Sequence, residues 1–72
     1  MDPKEIFELI IKADEMLKYA TAAKGDVRAA QARALLEDAR DAARAIDNVG
    51  LVTQAETRLA DLEALTEGGP AD

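Results

Sequence analysis

The sequence predicts an all-α protein, a three-helix up-down-up bundle, and three observations carry that expectation. Sixteen of the 72 residues are alanine, eleven of them between Ala20 and Ala45. Alanine loses no side-chain entropy in a helix and leaves the backbone hydrogen bonds unobstructed, so this stretch favours helix before any tertiary contact forms. Apolar residues recur at spacings of three and four along three segments, while β alternation and hairpin signals are absent. Short polar interruptions at Gly25-Asp26 and Asp47-Asn48 separate the segments, which suits tight helix-to-helix connections.

The first helix is expected over about residues 3–24. Asp2 can cap it, Pro3 suits the first helical position, and Glu5 stands where a capping-box acid reaches back. Ile6, Leu9, Ile10, Ala13, Met16, Leu17, Ala20 and Ala23 then share one face. Gly25 can adopt the left-handed stop conformation, and Asp26 can cap the second helix at once. That helix, about 26–46, carries Ala32, Leu35, Leu36, Ala39, Ala42, Ala43 and Ile46 on its apolar face, and such small side chains let neighbouring helices approach closely. Asn48 is the best cap for a third helix over about 49–66, with Thr53 and Glu56 as a rival start. Val52, Ala55, Leu59 and Leu62 form its stripe, widened by Leu51 and Leu65. Gly68-Gly69-Pro70 ends it, which divides the chain into one helical domain, 1–67, and a flexible tail, 68–72. The expected core is Ile6, Ile10, Ala13, Leu17, Ala20, Leu35, Ala39, Ala42, Ile46, Val52, Ala55, Leu59 and Leu62.

Composition narrows the function. At this size a single core barely offsets conformational entropy, so oligomerisation or a partner surface is an expected source of added stability. With neither cysteine nor histidine, disulfides are impossible, a zinc site is disfavoured, and the commonest general base and thiol nucleophile are missing. A non-enzymatic protein with no catalytic residues, metal or cofactor is expected. The net charge of −6 repels phosphate backbones and anionic lipid heads, which argues against nucleic acid and membrane as partners. No run of about 18 apolar residues occurs, and the acidic start does not resemble a leader, so a cytoplasmic protein is expected. The four lysines lie within the first 24 residues and the five arginines within the next 34; after Asp47 the only cation is Arg58.

The segment from Tyr19 to Asn48, with Gly25-Asp26 at a tight turn, an alanine-spaced second helix and Asp47-Asn48 after Ile46, resembles a tetratricopeptide-like helical hairpin. The third helix would open a following repeat, and the likeness extends over roughly residues 17–65. The resemblance assigns Ala30 to the small position where two helices cross, and Leu17 to the leucine of the first helix. The chain departs from the pattern in lacking a tryptophan in the first helix and a proline after the second. The resemblance implies protein binding or self-association. Repeat arrays need about three units to bury a continuous core; here either the bundle closes on itself or a second chain completes it.

Several groups of residues are candidates for contact. Phe7 and Ile11 lie one turn apart on the first helix, off its main stripe, on the flank carrying Lys4 and Lys18. With the adjacent Ile10 they form a candidate partner or self-association seam, the alternative being that the third helix covers them. Arg33, Arg40 and Arg44 share a face of the second helix and form a possible ridge for an acidic partner; as a solvated ridge they would pair locally, Glu37 with Arg40 and Asp41 with Arg44. The acids Glu37, Asp38 and Asp41, and the pair Asp14-Glu15, diverge by about 100° per residue and read as solvated faces rather than metal sites. Tyr19 falls at the core boundary, and Gly25 and Gly50 punctuate helices rather than cradle phosphate. These features predict a protein-interaction or self-association module, a homo-oligomer with no evident small-molecule substrate. The alternative is a small acidic regulator, an inhibitor or charge mimic, that binds a basic partner.

Overall fold

The computed structural model describes residues 1–18 and 25–64 of the chain. Three α-helices make up the described fold: α1 (Pro3–Lys18), α2 (Gly25–Ala45) and α3 (Val49–Glu63). They form an all-α three-helix bundle with up-down-up topology. The central helix α2 packs along both α1 and α3, whereas α1 and α3 meet over a shorter stretch. Tyr19, Ala20, Ala23, Leu65 and the expected tail at 68–72 lie outside the described residues.

The start of α1 is built as its sequence dictates. The Glu5 amide donates to Asp2 Oδ1 at 2.9 Å, and the Asp2 amide donates back to Glu5 Oε1 at 3.3 Å. This reciprocal box satisfies two amides that the first turn would leave without partners. At the other connection, Gly25 already belongs to α2, which places Asp26 in the first turn of that helix rather than before it. A glycine is tolerated there because the first-turn amides have no intrahelical partners to lose.

Between α2 and α3 the chain turns in three residues. The Asn48 amide donates to the Ala43 carbonyl at 2.8 Å and the Asp47 amide to the Arg44 carbonyl at 3.1 Å, the paired bonds of a Schellman stop. Asp47 takes the left-handed position at φ 55°, which usually falls to glycine. Asn48 then reverses role, and its side-chain oxygen accepts from the Leu51 amide at 3.1 Å to cap α3. One residue thus closes one helix and opens the next. Asp47→Gly should relieve the left-handed strain and stabilise the protein by about 0.5–1 kcal/mol, raising the melting midpoint by a few degrees; a lower midpoint would contradict this account of the turn.

The core is a cluster of Ile6, Ile10 and Ala13 from α1, Ala32, Leu36, Ala39 and Ala43 from α2, and Leu51, Ala55 and Leu59 from α3, with Leu62 also buried. Leu17, Leu35, Ala42 and Val52, expected inside, are half-buried and pack against this cluster. Ile46 is a correction: at 40% exposure it stands outside the core, because it falls one residue past α2 in the turn, and Ala43 fills the interior place. Ala30 is exposed, so the small residues at the buried face of α2 are Ala32, Ala39 and Ala43.

Candidate interaction surface

Residues at i, i+4 and i+7 of a helix share a face, and in α1 that series runs Phe7, Ile11, Asp14. Phe7 is 43% and Ile11 37% exposed. Asp14 ends the stripe by accepting from Arg58 Nε of α3 through both carboxylate oxygens, at 2.9 and 3.0 Å. The same guanidinium donates Nη1 to the Gln54 carbonyl at 3.3 Å. The stripe therefore borders the junction of α1 and α3, and α3 leaves it partly open to solvent.

Ile10 does not share in this surface. It is fully buried, as is Ile6, because a step of about 100° from Ile11 carries it onto the core-facing arc. The seam expected from the sequence thus reduces to Phe7 and Ile11, with Ile10 supporting them from beneath.

Arg33, Arg40 and Arg44 of α2 each lie within ion-pair distance of an acid. Arg44 Nη2 lies 2.7 Å from Glu56 Oε2, and Arg33 Nη1 lies 3.5 Å from Glu63 Oε2, so both reach across to α3. Arg40 Nε meets its neighbour Asp41 at 3.1 Å. The expected local pairs, Glu37 with Arg40 and Asp41 with Arg44, give way to these because the arginine flank of α2 is the side on which α3 packs. Arg33 and Arg44 act as clasps along an antiparallel seam, and each guanidinium of the expected ridge has an acid beside it.

The Asp14–Arg58 clasp joins helices that otherwise touch little, and residues 44 positions apart carry no local sequence signal of pairing. One hint was available: Arg58 is the sole cation after Asp47, and Asp14 is a charged residue beside buried Ala13. In a double-mutant cycle, Asp14→Ala and Arg58→Ala should show a coupling of about 0.5–1 kcal/mol in urea unfolding; purely additive losses would mean the clasp holds nothing.

Surface depressions of about 280 to 390 Å³ lie beside Met1, Glu5, Glu8, Leu9 and Lys12, and beside Lys12, Glu15, Met16 and Arg28. Both open broadly to solvent. Among the described residues no three acids, histidines or cysteines are grouped to hold a metal ion, and no described helix is long and apolar enough to cross a membrane. No protein-family model, curated protein or solved structure matches the chain.

Proposed function

We propose that this chain is a non-enzymatic protein-interaction or self-association module of tetratricopeptide-like type, and that the outer flank of α1 is its contact surface. The observation that carries this reading is the contrast within one helix. Ile6 and Ile10 are fully buried, while Phe7 and Ile11 stand partly exposed side by side. Two adjacent large apolar groups on a small, acidic, highly charged surface form a patch that a partner can cover. Covering their exposed portions would contribute roughly 1 kcal/mol each, and Phe7 can seat in a pocket as an aromatic anchor.

The alternative, an acidic regulator of a basic partner, has less support. Glu56 and Glu63 are bonded to arginines of α2, and Asp61 falls about 140–160° away from them around α3, so these acids do not make one free face.

The test is comparative capture. Immobilised wild type and a Phe7→Asp, Ile11→Lys variant, matched in helical circular dichroism, are exposed to extract of the native cell. The proposal expects proteins retained by wild type and lost from the variant; equal retention by both would overturn it.

A further inference from the structure

We infer that the occupant of the α1 flank is a second copy of this chain, with the two α1 helices packed antiparallel about a two-fold axis near residues 9 and 10. This rests on the preceding reading that the flank is a contact surface, and adds the identity and register of the partner. The argument is charge complementarity. Lys4, Ile11 and Glu15 follow one another at i, i+7 and i+11, so they lie on one stripe of α1, with Phe7 along its edge. Lys4 and Glu15 are both exposed, and neither makes an ion pair with any described residue. Along the stripe the order is thus Lys4, the apolar pair, Glu15 and then Lys18 at the end of α1; the antiparallel register sets Lys18 opposite the acidic start of the second copy, at Asp2.

Antiparallel symmetry pairs residues whose numbers have a constant sum. A sum of 18 to 19 brings Phe7 against Ile11 of the second copy and Lys4 against its Glu15, each contact occurring twice. The two charges also fall on the same edge of the seam. At about 100° per residue, Lys4 and Glu15 lie within about 20° of each other around α1, and a two-fold axis perpendicular to the helices keeps each on its own side. A parallel pairing would instead oppose Lys4 to Lys4 and Glu15 to Glu15, which is repulsive at both ends.

The seam is small. One helix per chain, 16 residues or about 24 Å long, makes the whole contact, which sets it in the small, weak class of interfaces, so the dimer should populate at tens to hundreds of micromolar.

The test uses charge reversal and cross-linking of the full chain. In sedimentation equilibrium, wild-type mass should rise from 7.7 kDa toward twice that by about 500 µM. Lys4→Glu and Glu15→Lys should each weaken association roughly tenfold, since two contacts turn repulsive, and the double variant should regain it. Both changes put the better charge at their end of the helix dipole, so a loss of association would not be a loss of helix. Because the chain has no cysteine, Lys4→Cys mixed with Glu15→Cys should give a mixed disulfide dimer on oxidation, each alone giving little. Lys4→Cys linking to itself as readily as to Glu15→Cys, or a double variant as weak as the single ones, would overturn the register. A wild type monomeric throughout would overturn the second copy as occupant, while the contact reading would still be decided by the capture experiment.

Discussion

Leu36→Ala is expected to cost about 3 kcal/mol, within the 2–5 kcal/mol seen when a large core side chain is cut to alanine. Leu36 is fully buried on α2, the helix against which both neighbours pack, and is among the largest side chains wholly removed from solvent. Truncation leaves a void that neither α1 nor α3 can fill without losing contact with the other. A 72-residue domain has roughly 4–10 kcal/mol of stability in total, so this variant should melt more than 10 °C below wild type. The neighbouring Leu35, half-buried on the flank of α2, gives the comparison. Leu35→Ala should cost about half as much in the same urea titration, and a loss as large as that of Leu36→Ala would mean that α2 is turned differently from the arrangement described here.

Ala39→Leu should be the second large effect, a destabilisation of about 2–3 kcal/mol. Ala39 is fully buried, and three added carbons have no space unless α2 moves off its neighbours. The alanines of α2 do more than favour helix: on the buried face they set how near the neighbours come. Ala34, exposed on the same helix, supplies the control. Ala34→Leu should change stability by less than about 0.5 kcal/mol, because leucine is nearly as good a helix former and meets nothing there. If the two substitutions cost the same, close packing is not what the buried alanines provide.

The parts of this fold that sequence reveals are those governed by neighbouring residues. Asp2, Pro3 and Glu5 announce the start of α1, and Asn48 announces the start of α3, because caps act over three or four positions. The face of α1 was equally plain, since Ile6, Ile10 and Ala13 lie on a single stripe. The face of α2 was not. Its apolar arc spans Ala32 to Ala43 on one side and Leu35 to Ile46 on the other, and the expected centre was about 60° from the observed one. The difference comes from α3, which packs on the arginine flank through Arg33–Glu63 and Arg44–Glu56 and draws Leu36 inward in place of Leu35. A hydrophobic count cannot weigh an arginine that joins a helix interface by ion pair. The candidate surface was legible in Phe7 and Ile11, which depart from the stripe of their own helix. Its border was not, because the Asp14–Arg58 clasp depends on where α3 lands. Ile10 was legible as core, and that role excludes it from the surface.

The central claim is that Phe7 and Ile11 form a contact surface filled by a second copy of this chain. Urea unfolding of wild type and Phe7→Asp at about 5 and 500 µM tests it most directly, since association of the folded state raises apparent stability by mass action. The wild-type midpoint should rise with concentration, while the midpoint of Phe7→Asp should be the same at both concentrations. A wild-type midpoint indifferent to concentration, or a variant midpoint that climbs as far, would contradict the account.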